Sequence, residues 1–441
     1  MKEIILIVIC LLALTLSAQQ GQPLSLDQAI DMALSNSDQL KIQRRTVDLT
    51  AAKEDKRLTG QLPIFDVVAG ASYTNNILSE VSLRTFQPAP PEITIDEGQV
   101  ESVNANIGVE GSYMLYDGGQ GKSRMALLAG LTEVERARQK VIANGIISAV
   151  SGFYHEILKL QQQITILESA MEVTGLRIAK LRDQQTFGKA TELDILQATA
   201  SLNKDQSGLA ELQTVRRNLL IDLNRFLGAD FTADYELEAV TTTDLPPSSS
   251  ELRTTIANSP EVQLAQAGIR VADLQIAQRR TALAPTVAAF GNVGTFYQYN
   301  DVQQLRELQT AGFTLGLSAR YSLNDGRGNR KQIQLAQLEG EVAALKMDQV
   351  VADLVKNGEQ LLAKYYLTQD QLKLEAENLT TYEQNMLKLR DLFANGKVNE
   401  VTIRDAELAV IQSRNTIATL EVLESQILTD LAILMGKVAP Q

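Results

Sequence analysis

Two hydrophobic patterns divide the chain. In short segments apolar residues recur at every second position, and in long segments they recur at alternating intervals of three and four residues. The first pattern predicts strands with one apolar face, and the second predicts helices that pack as coiled coils. The strand-like segments include 65–73, 105–115 and 313–323, and the helical stretch 120–187 contains no proline. At 1.5 Å per residue such a stretch would form a helix of roughly 100 Å.

The segments follow the same order in two halves of the chain. LRDQQTFGK at 181–189 matches LRDLFANGK at 389–397, and GSYMLYDGG at 111–119 matches ARYSLNDGR at 319–327, both at an offset of 208 residues. Matches nearer the N-terminus have an offset of 222 residues, so the first copy carries an insertion. One persistent offset indicates a tandem duplication. We place the insertion in 77–103 and expect a surface loop there, since loops tolerate insertions.

The predicted fold is an α+β membrane protein with two tandem structural repeats, in which long antiparallel helical coiled-coil hairpins carry four β-strands per chain. The expected boundaries are a signal peptide at 1–18, a first repeat at 19–240, a linker at 241–250 and a second repeat at 251–441. The first repeat has an N-terminal helix, a strand pair at 63–116 and a hairpin at 120–228. The second has an N-terminal helix, a strand pair at 285–324 and a hairpin at 327–436.

The membrane interpretation depends on the strands. About ten residues per strand is the length that a tilted membrane strand needs. Four strands cannot close a barrel and lipid does not tolerate open edges, so several chains would have to pool their strands. The alternative is a soluble sheet whose apolar face packs on helices. Six tyrosines lie toward strand ends, as aromatic residues at membrane interfaces do: Tyr73, Tyr113, Tyr116, Tyr297, Tyr299 and Tyr321.

The N-terminus and the overall charge narrow the class of protein. One Lys, an apolar run and Ser17-Ala18 follow the plan of a secretory signal peptide. Cys10 follows Ile9 in the middle of that run, which argues against a lipid-anchored cysteine, and it is the only cysteine. With 41 basic and 53 acidic residues, the net charge of −12 disfavours nucleic acid as a partner. No later stretch reaches the roughly 18 apolar residues of a membrane helix.

Candidate chemistry is sparse. YDGGQGKSR at 116–124 resembles a phosphate-binding loop, but Tyr116 occupies the position of the first glycine of that motif. The second copy, LNDGRGNRK, keeps the Asp-Gly pair without the Lys-Ser pair, so we interpret both as turns from strand to helix. His155 is the only histidine and we expect it to pack between helices. We therefore expect no enzyme activity, no cofactor and no metal site.

Three motifs in order resemble the TolC-like outer-membrane efflux protein family. PLSLDQAIDMALSNSDQL opens a repeat, LYDGG ends a strand, and FGKATELDILQA lies at a predicted hairpin tip. The resemblance covers nearly all of the mature chain. It implies a homotrimer whose pooled strands form one twelve-stranded barrel in outer-membrane lipid, with the helices continuing as a periplasmic tunnel. It also implies an exit duct of a tripartite efflux pump or type I secretion system, a passive conduit for small molecules or peptides that docks on a periplasmic adaptor (membrane fusion) protein and an inner-membrane pump.

The resemblance further implies a periplasmic entrance at the hairpin tips. Asp194 and Asp405 match tip aspartates of the family, and Asp405 would ring the entrance, where like charges attract cations. Thr402 stands where the family often has another Asp. Phe393 and Val398 replace a gating Tyr and a gating Arg, so the hydroxyl and guanidinium links that close some members cannot form here.

Four further tip residues are candidates for contact with the adaptor: Gly188, Lys189, Gly396 and Lys397. Each tip residue also has a simpler interpretation. The aspartates would be solvated residues at helix starts, the glycines would form turns, and the lysines would be solvated.

Two other functional classes compete with the duct. A periplasmic adaptor also uses helical hairpins, but it would show one hairpin flanked by compact β domains, whereas this chain has two matched hairpins. A soluble coiled-coil scaffold would have no pore and would need no detergent. One His and 8 Met give no support for a copper or silver path.

Overall fold

A computed structural model describes residues 22–76, 79–83, 93–97, 100–188, 190–240, 245–301, 306–395 and 397–437. The predicted signal peptide, residues 241–244 of the predicted linker, Lys189 and Gly396 lie outside this part of the chain. In chain order the elements are β1 (Gln22–Leu24), α1 (Leu26–Asn36), α2 (Asp38–Ala52), β2 (Ile64–Asn76), β3 (Ser79–Leu83), β4 (Ile93–Glu97), β5 (Val100–Tyr116), α3 (Gln120–Thr186), α4 (Glu192–Leu227), β6 (Tyr235–Leu237), α5 (Ser249–Ile256), α6 (Pro260–Thr281), β7 (Thr286–Asn300), β8 (Glu307–Arg320), α7 (Gly328–Ala394) and α8 (Glu400–Leu434).

The chain divides into two compact units, which are described separately. Among the described residues, the sheet unit comprises those within 48–133 and 268–343, and the helical unit comprises the others. The α+β fold class and the two successions of helix, strand pair and long helical hairpin agree with the expectation from the sequence.

The sheet unit contains one antiparallel sheet of four strands in the order β2-β5-β7-β8. Its register aligns Val67, Val109, Val293 and Phe313 in one row across all four strands. Side chains of paired residues lie on the same face, and successive residues alternate between faces. The period-two pattern therefore sorts the sheet into an apolar face that includes this row and a face with many polar residues. All four side chains of the row are exposed in the single chain.

The sheet has open edges and a paired extension. Among the strands that the structure describes, β2 and β8 each pair on one side only. β3 pairs with β4 from Ser79↔Glu97 to Leu83↔Ile93, so the segment 77–103, predicted as a surface loop that joins two strands, contains a short strand pair. Five-residue strands give too short an alternation for the sequence to indicate this pair.

The strand-to-helix turns confirm the interpretation of YDGGQGKSR. The Asp117 carboxylate accepts hydrogen bonds from the Gly119 N–H at 2.8 Å and the Gly121 N–H at 2.6 Å, at the start of α3. Asp325 does the same for Arg327 and Asn329 in the second copy. Gly118 and Gly326 have φ angles of 66° and 65°, which favour glycine. In each copy two backbone N–H groups at the start of the helix are thus bonded to the aspartate.

The helical unit has its main core at the base of the first hairpin. Apolar residues of α1 pack with α3, α4 and the parallel pair β1–β6. A capping box starts α1, because Gln28 N–H donates to Ser25 Oγ and Ser25 N–H donates to Gln28 Oε1. The Tyr154 hydroxyl lies 2.8 Å from the Leu24 carbonyl and 2.7 Å from the Glu238 carbonyl, and burial raises its pKa to about 12. In the second repeat α5 packs on α7 and α8 in the same way.

His155 is completely buried in α3. Its Nδ1 lies 2.8 Å from the Ser151 carbonyl, and its Nε2 lies 3.2 Å from Ser425 Oγ of α8. Burial lowers its pKa and the Ser151 carbonyl partly opposes that effect, so the ring is neutral at pH 7. Neutral Nδ1–H donates to Ser151 and Nε2 accepts from Ser425, which makes His155 a packing residue. Of the described helices, α3 alone has an 18-residue window with a mean hydropathy of 1.3, but 56% of that window is buried, as in a core helix.

Candidate functional site at the hairpin tips

The first hairpin reverses between α3 and α4. Gly188 follows the end of α3 with a φ of 68°, and its N–H donates to the Gln185 carbonyl at 2.9 Å. The turn therefore accounts for a glycine at this predicted contact position. Phe187, Leu193 and Leu196 are exposed around the turn, so the first tip presents apolar side chains to solvent.

Asp194 belongs to the helix cap of α4. Its N–H donates to Thr191 Oγ1 at 3.2 Å, and its carboxylate accepts from the Thr191 N–H at 2.9 Å and the Thr191 hydroxyl at 2.7 Å. This is a reciprocal capping box at the start of α4. Asp194 thus has a structural role at the tip, and its negative charge also lies close enough to Glu400 of the second hairpin to influence it.

The second hairpin reverses between α7 and α8. Asn399 caps α8, since its Oδ1 accepts from the Thr402 N–H at 3.0 Å and the Thr402 hydroxyl at 2.8 Å. The Thr402 hydroxyl is therefore committed to the cap. Lys397 is exposed, and its backbone N–H donates to the Leu392 carbonyl at 2.9 Å.

Phe393 joins the second hairpin to the first. Its half-buried ring packs against a small cluster formed by Ile178 and Leu181 of α3 and Ala198 of α4. The aromatic ring that replaces the gating Tyr of the resembled family is thus used for apolar contact. Val398, in place of the gating Arg, is also half-buried.

A buried group of charged residues lies beside this contact, and we call it the tip cluster: Arg177 of α3, Asp205 of α4, and Glu400, Arg404 and Glu407 of α8. Asp205 accepts two hydrogen bonds from Arg404 Nη2, at 2.6 and 2.8 Å. Arg177 Nε lies 3.1 Å from Glu400 Oε1, and its Nη1 lies 2.5 Å from Glu407 Oε1. Arg404 Nη1 lies 4.0 Å from Glu407 Oε2.

Glu400 is the least stabilised acid of the tip cluster. Its side chain is 2% exposed, and neither carboxylate oxygen makes a hydrogen bond to any residue that the structure describes. Burial raises its pKa and Arg177 lowers it. Glu407 and Asp194 raise it further, Arg404 lowers it, and the result is about 7. A carboxyl group with this pKa exchanges a proton near neutral pH.

Asp405 lies apart from the tip cluster. It is exposed on α8 and has no ion-pair partner within the described residues. An exposed, unpaired carboxylate is compatible with the predicted ring at the entrance. That role stays a prediction, as do the adaptor contacts of Gly188 and Lys397.

The predicted interface tyrosines mark both ends of the sheet. Tyr73 and Tyr299 both pair with Val103, and Tyr297 pairs with Ala105 in an adjacent row of the same face, near the loop end. Tyr113 and Tyr116 lie near the end of β5 that leads to α3, and Tyr321 directly follows β8. Tyr73, Tyr113, Tyr116, Tyr297 and Tyr321 are all exposed.

Reasoning from the sequence missed the tip cluster. Glu400, Arg404 and Glu407 are four and three residues apart, which places them on one face of α8. That spacing of acid, base and acid was the available signal. Their partners Arg177 and Asp205 are about 200 residues away in the sequence and became visible only in the fold.

Comparisons with known proteins place these features in context. The model of the outer membrane efflux protein family matches residues 29–229 and 252–437. The probable outer membrane lipoprotein SilC of Salmonella typhimurium is 20% identical over 284 residues, which are 62% of this chain and 60% of SilC. The cation efflux system protein CusC of Escherichia coli K12 is 18% identical over 305 residues, 66% of each chain. The alignments thus cover less than two thirds of the length of each of these relatives, 60% of SilC and 66% of CusC.

Solved structures agree over most of the fold. A CusC crystal structure matches with a TM-score of 0.74 at 17% identity, covering 93% of this chain and 91% of CusC. VceC of Vibrio cholerae matches with a TM-score of 0.71 at 16% identity, covering 93% and 96%. CmeC of Campylobacter jejuni gives 0.72 at 14% identity, covering 94% and 86%. At these identities the likeness concerns the fold.

Proposed function

Because the chain belongs to the outer membrane efflux protein family, we propose that it forms the exit duct of a tripartite efflux pump or a type I secretion system. The observation that carries the proposal is an antiparallel four-stranded sheet with two open edges and an exposed apolar face. Open edges are not tolerated in lipid, so further copies must complete the sheet. Three copies in cyclic symmetry would supply twelve strands, enough for a closed barrel around a polar lumen.

The chain is an outer-membrane protein with a periplasmic extension. In the proposed assembly the apolar row of Val67, Val109, Val293 and Phe313 faces lipid, and the hairpins reach toward the periplasm. The duct itself is passive: it supplies a path, and an inner-membrane pump supplies the energy. Within the described part of the chain no group of three or more His, Cys, Asp or Glu is arranged to hold a metal ion.

The adaptor would dock at the hairpin tips. Phe187, Leu193 and Leu196 are exposed around the first turn, and apolar side chains on a tip favour binding to a partner. Lys397 adds an exposed amine at the second turn, which can be crosslinked in cells. Replacing Phe187 by Ser should reduce crosslinking from Lys397 to the adaptor while channel conductance in planar bilayers is unchanged.

For the cargo we propose small molecules or peptides. By name, SilC is a probable outer membrane lipoprotein and CusC is a protein of a cation efflux system. In this chain the single imidazole, His155, is buried and both ring nitrogens have partners, so it offers no ligand to a soft metal ion.

Reconstitution tests the duct directly. The purified protein should require detergent, run as a heat-modifiable trimer and give stable conductance steps in planar bilayers. A chain that stays monomeric and folded in buffer without detergent, and gives no conductance, would refute the duct and favour a coiled-coil scaffold or adaptor without a pore.

A further inference from the structure

We propose that Glu400 is a proton-binding site that controls how firmly the tip of the second hairpin is held to the first. The step from tip separation to opening of the entrance rests on the proposed duct function. The proton-binding site itself rests only on the contacts of the tip cluster.

The tip cluster connects the two hairpins through ion pairs. Glu400, Arg404 and Glu407 belong to the second hairpin, whereas Arg177 and Asp205 belong to the first. Three of the four ion pairs therefore cross from one hairpin to the other. Glu400 is the first residue of α8, so the tip cluster begins at the start of that helix.

The charge of the cluster is unbalanced. Asp205, Glu400 and Glu407 carry three negative charges when ionised, and Arg177 and Arg404 carry two positive charges, which leaves a net charge of −1 in a buried site. An uncompensated buried charge is costly. One proton on a carboxylate restores neutrality.

Glu400 is the acid that takes the proton. Asp205 accepts two short hydrogen bonds from Arg404, so both of its carboxylate oxygens already have a partner. Glu407 lies 2.5 Å from one guanidinium nitrogen and 4.0 Å from another. Glu400 has one charged contact, at 3.1 Å, and no hydrogen bond among the described residues.

Charged groups on three helices act on Glu400. Arg177 of α3 and Arg404 of α8 favour the ionised form, whereas Glu407 of α8 and Asp194 of α4 oppose it. Asp205 of α4 acts through its bond to Arg404. From α7, Arg390 lines a cleft of about 120 Å³ that Glu407 also lines. Burial dominates these effects and raises the pKa of Glu400 to about 7.

The direction of the pH effect follows from linkage. When the tips separate, water reaches Glu400 and its pKa falls toward the ordinary value of 4.5. The attached state then binds more protons than the separated state between pH 4.5 and 7, so attachment weakens as pH rises through this interval. From pH 5 to pH 8 the opening equilibrium constant should increase on the order of 10- to 100-fold.

Thiol modification measures this equilibrium. Val410 is 4% exposed on the face of α8 that carries Glu407, and it lines the cleft against α3. A Val410→Cys variant is modified only when the tips separate. Its rate is divided by the rate for an exposed control, Lys397→Cys, which removes the intrinsic pH dependence of the thiol.

The rate ratio should rise on the order of 10- to 100-fold from pH 5 to pH 8 in the otherwise unchanged chain. Adding Glu400→Gln, which mimics the protonated acid, should abolish the rise and keep the ratio low at pH 8. The matched control is Glu383→Gln, which removes an exposed ion pair with Arg414 inside the second hairpin and should keep the full pH response.

Two results would overturn the proposal. One is a ratio that stays flat from pH 5 to pH 8 in the chain without a change at Glu400. The other is a pH response that survives Glu400→Gln. Conductance of the Lys397→Cys protein in planar bilayers is recorded in parallel. If this protein gives no conductance while the rate ratio rises with pH as expected, the duct is refuted and the proton-binding site is still supported.

Discussion

A charged residue introduced at the centre of the apolar row distinguishes a sheet that lies in a membrane from a sheet that lies in water. Val293 lies in the middle of β7, four residues from Tyr297 on one side and four residues from Ala289, the partner of Tyr113, on the other. If the tyrosines mark the two membrane interfaces, Val293 lies near the midplane of the bilayer. We therefore choose Val293→Arg as the test, with Asn292→Arg on the opposite face of the same strand as its control.

The magnitude follows from the copy number. An arginine on the lipid face near the midplane costs about 2–4 kcal/mol per strand, and three copies in a trimer cost about 6–12 kcal/mol. That is comparable to the whole stability of a typical folded protein, so Val293→Arg should prevent the trimer from forming in lipid vesicles. Asn292 pairs with Glu110 and Thr314 on the polar face, so Asn292→Arg should change stability by less than about 0.5 kcal/mol.

The assay compares the heat-modifiable trimer fraction on cold gels and the urea midpoint in vesicles. A soluble sheet predicts the opposite result, because Val293 is 56% exposed in the single chain and an arginine there would simply be solvated. If Val293→Arg and Asn292→Arg fold equally well, the apolar face does not contact lipid and the reasoning from the sheet is wrong.

Three further predictions concern the helices. His155 is buried and neutral, and its pKa is lowered, so the unfolded chain takes up a proton at a higher pH than the folded chain does. The stability of the fold should therefore decrease as the pH drops below 6.5. Thermal unfolding at pH 7.5 and pH 5 should show this loss, and His155→Gln should remove it. The pKa of Glu400 is raised and contributes the opposite slope, so the loss is larger in a Glu400→Gln background. Asp117→Ala removes two hydrogen bonds at the start of α3 and should cost about 1 kcal/mol, measured as faster amide exchange at Gly121, whereas Asp66→Ala should leave that exchange unchanged. Asp405→Asn should weaken block of the channel by multivalent cations in planar bilayers, and unchanged block would remove Asp405 from the proposed ring.

Local patterns were sufficient for much of the fold. The alternation in 105–115 fixes the apolar face of β5, because a strand must turn successive side chains to opposite sides. Capping boxes are equally local, because each involves two residues three positions apart, as in Ser25 with Gln28 and Thr191 with Asp194. Three-residue strands such as β1 and β6 carry no such pattern, and their pairing depends on contacts more than 200 residues apart.

The tip residues show where this reasoning ends. Asp194 and Thr402 were predicted as entrance residues, and that role stays a prediction. The structure shows a second role that was not predicted for Thr402: both residues belong to helix caps, where Asp194 Oδ2 and the Thr402 hydroxyl are bonded. Asp405 and Glu407 are two residues apart, yet one is exposed and the other is buried against Arg177. Which face of α8 is covered depends on how the first hairpin packs, and no pattern within α8 specifies it.

If the tips form the predicted entrance, Phe393 and Val398 in place of a gating Tyr and a gating Arg change the kind of force that can hold it closed. Exposed hydrogen bonds and ion pairs between tips would be screened by salt, with a Debye length of about 8 Å at physiological ionic strength. Here Phe393 contributes apolar contact, and the ion pairs between hairpins are buried. Buried pairs are screened much less, so attachment of the tips should depend little on salt and strongly on the proton at Glu400. The rate ratio of Val410→Cys to Lys397→Cys should therefore change less between 0.05 and 0.5 M NaCl at pH 6 than between pH 5 and pH 8 at constant salt. A larger response to salt than to pH would place the force that holds the tips among exposed charges, contrary to the buried arrangement.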